Sequence, residues 1–430
     1  MVTTLNLRKA RTSAVPKQEA KLGRAIRNAS GPRKLRDAQR RYLHSPAAWA
    51  RATDEAMHEV ARRRRQTRKG GRPYHLPREW RDVTRDAILR SIRPWAPCDE
   101  PVRLFDIPKG SGMDSRLITA FGPRNYARQR LVLNCLRHRG QLHPDQFGVP
   151  GRDRHKAILR AKDNHDSGFT HVVHLDIVQA YPSFDVEALT SWLSLPKETA
   201  AVFNPGRLSI AAPNGETGCF SLCDGSMDLD PASPAGKADE ALLDAFGEEW
   251  VEARSGLSQG SGASAGALEL VLADALRSLA GHLAGVRLVA LGDDVLIQGR
   301  SETEARAASV SLRETLASHP VGPFHVHQHF GGTAPDPRVR FLGYDLFVED
   351  GALVPAMGER ATNKLRQARH GAYQIMRQGH LPPDNRRAHV ERVAELHRAT
   401  VAQFPAWAGR HLFLMDKLGA LRVRAAWAGL

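Results

Sequence analysis

The sequence predicts an α+β fold in which a central antiparallel sheet with helices is flanked by two helical ends. Three observations predict it. Residues 101–350 carry short apolar runs separated by turns, as strands do. The two flanks have helical composition broken by Gly and Pro. One central apolar run, Val286 to Ile297, is interrupted only by Gly292-Asp293-Asp294, the composition of a tight hairpin tip. In chain order, Trp49 to Arg64 reads as a helix that stops at Gly70-Gly71-Arg72-Pro73. His171 to Val178 is a buried strand, and residues 213–252 are an acidic surface insertion bearing Gly and Pro. Gly266 to Leu279 is a helix with Leu268, Leu272, Ala275, Leu276 and Leu279 on one face. Phe341 to Phe347 is a further strand. Beyond Pro355, Pro382-Pro383 and Pro405 divide the chain into three helices. The expected organisation is a basic helical extension over 1–100, a central domain over 101–352 and a helical region over 353–430.

Of 430 residues, 42% are hydrophobic, enough to bury a core, which excludes wholesale disorder. No run of about 18 apolar residues exists and the N-terminus lacks an apolar leader, so a soluble, cytoplasmic protein is expected. Four cysteines exclude a disulfide framework. Cys219 and Cys223 have no second pair to complete a zinc site, which leaves ordinary reduced thiols. The net charge of +16 is unevenly placed. Residues 1–100 hold 25 basic and 10 acidic side chains, 101–350 hold 24 and 31, and 351–430 hold 13 and 5. Two basic ends around an acidic centre suggest polyanion clamps, since each phosphate neutralised releases counterions. The Arg62-Arg63-Arg64-Arg65 run also has the composition of a solvated helix face.

A charge inside an apolar strand is costly unless compensated. Asp176 lies inside His171–Val178, and Asp293-Asp294 inside Leu288–Ile297. Neighbouring carboxylates repel, and a cation between them relieves the repulsion. Hard divalent ions such as Mg²⁺ take carboxylate oxygens together with substrate phosphates. A third carboxylate from a neighbouring strand would complete a two-metal site for in-line nucleotidyl transfer, and Asp176 is the candidate. An isolated Asp-Asp is otherwise the composition of an exposed turn.

Taken in order, these segments resemble a reverse transcriptase, and more broadly a right-hand template-dependent polymerase. Leu175-Asp176-Ile177-Val178-Gln179-Ala180-Tyr181-Pro182-Ser183-Phe184 resembles the first catalytic motif, and Gly256-Leu257-Ser258-Gln259-Gly260-Ser261 the Gln-Gly motif under the template–nucleotide pair. Leu291-Gly292-Asp293-Asp294 falls where the family has its Tyr-x-Asp-Asp box, and Phe341-Leu342-Gly343-Tyr344 resembles the primer grip. Upstream, Ile107 to Arg116 resembles the fingers hairpin whose Lys109 and Arg116 hold the triphosphate, and Phe147 to Ile158 resembles the fingers motif of bacterial members. The resemblance spans about residues 100–350. It implies a fingers-and-palm domain with a helical thumb, and two Mg²⁺ ions (or Mn²⁺) held by Asp176, Asp293 and Asp294 with the carbonyl of Ile177. It also implies a nucleotide site including Lys109, Arg116, Tyr181, Gln259 and Gly260. Lys109 and Arg116 are equally readable as ordinary surface charges, and Tyr181 as a core aromatic.

Gly-Asp-Asp is also the habitual box of RNA-dependent RNA polymerases. Tyr181, five residues after Asp176, favours deoxynucleotides, because a ring beneath the sugar clashes with a 2′-hydroxyl. The chain departs from the family with Leu291 in place of Tyr, Ser264-Ala265 where Ser-Pro is usual, and no Lys before Phe341. His325, His327 and His329 alternate there, so a strand would put all three on one face, as a metal site or as its polar side. His329 is a candidate for the missing acid. The chain has no retron-like Val-Thr-Gly or Asn-Ala-x-x-His, nor the Ser-Gln variant of diversity-generating elements. By exclusion it resembles the unclassified bacterial group, many of whose members act in anti-phage defence. The expected partners are an RNA template, a DNA product and dNTPs, with room for a dedicated non-coding RNA or an accessory protein and with no membrane. An RNA-dependent RNA polymerase, a template-free or protein-primed DNA polymerase and a catalytically silent RNA-binding protein are the competing readings.

Overall fold

The structure, a computed structural model, describes residues 14–68, 80, 82–95, 98, 100–108, 115–140, 142–148, 151–204, 208–213, 217–219, 233–279, 285–330, 338–378 and 381–430. The chain divides into two compact units, each assembled from three segments. The first comprises residues 1–142, 179–275 and 316–325, the second residues 143–178, 276–315 and 326–430.

The first unit begins with α1 (Ala14–Arg27), α2 (Pro32–Leu43), α3 (Pro46–Arg68) and α4 (Arg85–Ser91). Proline opens α2 and α3, where its missing N–H costs nothing. The helices are tied together by one buried carboxylate. Glu19 accepts from the Tyr42 hydroxyl (2.7 Å), pairs with Arg51 (2.8 Å) and meets His138 Nε2 (2.9 Å). His138 belongs to α5 (Pro123–Arg139). The start of α5 is capped by Glu100, whose carboxylate accepts from the N–H groups of Arg124 and Asn125.

Strands β1 (Val102–Pro108) and β2 (Ser115–Ala120) form an antiparallel hairpin with Ile107 opposite Arg116. Residues 179–185 lead into the next elements of this unit. These elements are α7 (Val186–Trp192), α8 (Ala200–Phe203), β4 (Ser209–Ala211) and β5 (Thr217–Cys219), and the sheet order is β2-β1-β4-β5. The later part of the acidic stretch falls in α9 (Pro234–Ser255), capped by Ser233 and kinked at Gly247. Although net acidic, α9 buries Ala238, Leu242 and Trp250 against Val102, Leu117, Phe121 and Ile210. The Trp250 indole N–H donates to Asp239 across the kink (2.7 Å). A helix of acidic composition can still present one apolar stripe, and this one does. α10 (Gly262–Ser278) follows the Gln-Gly motif and buries Leu268, Leu272, Ala275 and Leu276.

The second unit is built on a four-stranded sheet of order β6-β7-β3-β8, from β3 (His171–Ile177), β6 (Val286–Leu291), β7 (Asp294–Gly299) and β8 (Val326–Phe330). α6 (Arg154–Asp166) packs on this sheet, with Ala157 and Ile158 in a core shared by Val172, Val289 and Leu296. α11 (Glu302–Ala317) opens with a reciprocal capping box, Ser301 and Glu304 each bonding the other's backbone N–H.

The expected strand Phe341–Phe347 is two strands. β9 (Val339–Phe341) and β10 (Tyr344–Glu349) are joined by a reversal at Leu342-Gly343, both with positive φ, and β11 (Ala352–Met357) completes the three-stranded sheet. Gly343 supplies the backbone freedom that turns the run back on itself. Three helices follow, α12 (Glu359–Arg377), α13 (Pro383–Val401) and α14 (Arg410–Trp427), broken at the prolines named above and packed through Met376, Val393, Leu418 and Leu421. Among the described residues no helix is long and apolar enough to cross a membrane.

Burial pushes the Glu19 carboxyl up, but hydrogen bonds from His138, Tyr42 and Arg51 outweigh it and hold the group below its ordinary value of 4.5. A depressed carboxylate stabilises the fold above its unfolded pKa, and that contribution is lost as pH falls through the folded one. Glu19→Gln is therefore expected to cost on the order of 2–3 kcal/mol at pH 7 by urea denaturation. The deficit should shrink as the pH is lowered below 4.5.

Candidate active site

The two central carboxylate segments come together in the second unit. β3 and β7 are antiparallel with Asp176 directly opposite Asp294, so their side chains share one face with β-carbons roughly 5 Å apart. The β6–β7 hairpin turns through Gly292-Asp293, with Gly292 at φ 64°. That is the first central position of a two-residue loop, where glycine carries the positive φ without steric cost. The turn is fastened to the end of β3 by the Ile177 N–H, which donates to the Asp293 carbonyl (3.1 Å). Asp176, Asp293 and Asp294 are all half-buried, while Val172, Val173, Leu175, Val295, Leu296 and Ile297 around them are buried.

A residue outside the sequence-derived set completes this face. His174 precedes Asp176 by two positions and so projects on the same side of β3. Its Nε2–H donates to Asp294 Oδ1 (2.8 Å); a carboxylate oxygen only accepts, so Nε2 carries the proton. The imidazole is 8% exposed and meets the buried Phe341 ring edge-on, with centroids 5.5 Å apart. A polar residue at period-two spacing from Asp176 inside Val-Val-His-Leu-Asp was the signal available in the sequence. A cavity of about 650 Å³ opens beside the pair, lined by His174, Asp294, Arg338, Arg340, Leu342 and Gly343. The segment resembling a primer grip therefore lies beside Asp294.

The histidine alternation breaks down. β8 begins at Val326, so His325 lies outside the strand. A β-bulge follows, since Leu175 pairs with Gln328 and His174 with Phe330, which leaves His329 without a register partner. An inserted residue shifts the alternation, and the three histidines do not form one strand face. The His329 side chain lies outside the described residues. His327 is exposed and directly opposite Asp176, so Asp294, Asp176 and His327 form a row across β7, β3 and β8.

The expected nucleotide-site residues belong to the first unit. Arg116 is exposed on β2, and Lys109 lies outside the described residues. Gln259 and Gly260 are bound to the same hairpin, the Thr119 N–H donating to the Gln259 carbonyl (2.8 Å). Gly260, at φ 98°, lies so close to Thr119 that a β-carbon would sit 2.6 Å from its carbonyl oxygen. Tyr181 is half-buried and its carbonyl accepts from the Leu257 N–H (2.8 Å), joining the segment after Asp176 to the one that carries Gln259-Gly260.

Asp176 and Asp294 are hard oxygen donors held close together, which suits a divalent cation. Among the described residues no group of three or more His, Cys, Asp or Glu side chains is gathered to hold an ion. Mg²⁺ is commonly held by one or two carboxylates, with waters and substrate phosphates filling the remaining positions, so the donor set fits it.

No family model matches this chain, and no curated protein matches it. Among solved structures it is similar to the telomerase from Candida albicans in complex with a TWJ fragment of telomeric RNA, at 12% identity and TM-score 0.34, over 76% of this chain and 64% of that one. It is similar to the Sicinivirus 3Dpol RNA-dependent RNA polymerase at 12% identity and TM-score 0.36, over 78% and 73%. A third likeness is to the RNA-dependent RNA polymerase from bacteriophage phi12, at 14% identity and TM-score 0.32, over 70% and 47%. The chain thus spans less than two thirds of the telomerase chain and about half of the phi12 enzyme.

If His174 holds Asp294 in place, His174→Leu should weaken Mn²⁺ binding by about tenfold or more. His174→Gln, whose amide N–H can occupy the position of Nε2–H, should retain most of it. Titration of free Mn²⁺ by electron paramagnetic resonance makes the measurement.

Proposed function

We propose that this protein is an RNA-directed DNA polymerase that joins dNTPs to a primer by two-metal nucleotidyl transfer. The observation that carries the reading is the placement of Asp176 opposite Asp294, with Asp293 at the adjoining turn. Two facing carboxylates in an apolar sheet repel each other, and a bound cation would relieve that repulsion.

Asp176, Asp293 and Asp294 would hold the ions, with the Ile177 carbonyl as a further ligand. Mg²⁺, when bound there, would supply the charge that lowers the pKa of a primer 3′-hydroxyl and steadies the leaving pyrophosphate. His174 fixes the orientation of Asp294. Arg116 and Lys109 neutralise the triphosphate, the guanidinium by bidentate contact. Gln259 and Gly260 support the template–nucleotide pair, Gly260 by allowing close approach to the backbone of β2. The Tyr181 ring excludes the 2′-hydroxyl and so selects deoxynucleotides. The basic flanks grip nucleic-acid backbone.

A role in anti-phage defence is supported by the resemblance to the unclassified bacterial group. Sequencing the nucleic acid that copurifies with the protein before and after phage infection tests it. A defined small RNA would mark a dedicated template.

Purified protein given an RNA template, a DNA primer and Mg²⁺ is expected to incorporate dNTPs, and Asp293→Ala to abolish incorporation. Exclusive use of NTPs would identify an RNA polymerase instead. Tyr181→Val is expected to reduce the preference for dNTPs over NTPs by about tenfold or more, equivalent to about 1.4 kcal/mol, in single-turnover incorporation.

A further inference from the structure

A groove of about 1030 Å³ in the first unit is lined by none of the residues named above for the metal or nucleotide site. One wall is α2 with the residue that caps it, where Arg36, Arg40 and His44 recur every fourth residue, about 6 Å apart along the axis. All three are exposed. Trp95, from the turn after α4, stacks on His44 with centroids 4.0 Å apart and ring planes 25° apart. The facing wall comes from α7 and the turn after it, and carries Glu187, Thr190, Ser191, Lys197 and Glu198. Desolvation, with Arg40 and Arg93 nearby, holds the His44 pKa below its ordinary value.

We propose that this groove binds single-stranded nucleic acid, with a base stacked against the His44–Trp95 pair and neighbouring phosphates on Arg36 and Arg40. Cations beside an aromatic platform are the means by which proteins hold unpaired strands, because every base has a π-face and every linkage a charge. A duplex keeps its bases stacked inside and offers the platform nothing. The walls also set a polarity. Guanidinium groups on α2 take phosphate oxygens in bidentate fashion. Glu187 and Glu198 opposite repel the backbone and accept from the amino groups of bases. The groove thus gives the basic first hundred residues a defined contact, and its use as a template lead rests on the polymerase reading. Binding itself does not.

The test is fluorescence anisotropy of a labelled single-stranded RNA of about 20 nucleotides with the full chain in EDTA, so that binding is read without nucleotidyl transfer. His44→Ala and Trp95→Ala are each expected to weaken binding about tenfold, and His44→Tyr and Trp95→Phe to retain it. Arg36→Ala with Arg40→Ala should reduce the slope of log affinity against log salt by about 1.4, the release from two single-strand phosphates. Binding of a blunt duplex of the same length should not respond to His44→Ala. Unchanged single-strand affinity in His44→Ala and Trp95→Ala proteins of normal thermal melting overturns the proposal, as does an equal loss on the duplex. If Trp95→Ala does not fold, His44→Ala decides in the same way. Wild-type protein that incorporates no nucleotide but loses RNA with these variants overturns the polymerase reading alone.

Discussion

The repulsion between Asp176 and Asp294 is the constraint around which the second unit is arranged. Two like charges about 5 Å apart oppose each other by about 1–3 kcal/mol in a partly exposed site. The placement is held against that repulsion. It is enforced by the strands, whose buried Val172, Val173, Leu175, Val295, Leu296 and Ile297 fix the register. A slip of one residue would send Asp176 into the core and a buried leucine into solvent, so the apolar pattern and the carboxylate pair specify each other. The Gly292 turn and the Ile177–Asp293 hydrogen bond fasten the open end of this arrangement, and His174 holds one of the two carboxylates from within the sheet.

What could be read from the chain was whatever broke its local pattern. Asp176 and Asp293-Asp294 are visible because charge interrupts an apolar run. The breaks between the last three helices are visible because proline cannot continue a helix. What depends on register was hidden. The sequence shows His174, His327 and Asp294 at separations of more than 30 residues from at least one partner, and only strand pairing places them in one neighbourhood. The bulge at His329 likewise leaves no mark in composition, so a regular alternation of histidines was misleading. The reversal at Leu342-Gly343 hid behind flanking apolar residues, although its glycine was the clue. In α9, counting acidic residues obscured one buried stripe ending in Trp250.

The two units also differ in how polar groups are accommodated. In the first, a single carboxylate, Glu19, gathers a phenol, a guanidinium and an imidazole from three other helices. Its charge is compensated within the fold, which makes it structural. The carboxylates on β3 and β7 lie beside neighbours of their own sign on a half-open face, with His174 donating to one of them. The contrast separates a carboxylate that supports the architecture from one suited to chemistry.

Each unit is made of three separated chain segments, and this bears on how the protein is synthesised. β3 ends at Ile177, and its partner β7 begins at Asp294. At ordinary translation rates roughly 6–25 s pass between the two. Throughout that interval the Val-Val-His-Leu-Asp-Ile run has neither neighbour, and an apolar strand with two open edges is a template for aggregation. The carboxylate on that strand is then an asset of another kind: Asp176 is the charge that discourages nascent chains from pairing through it.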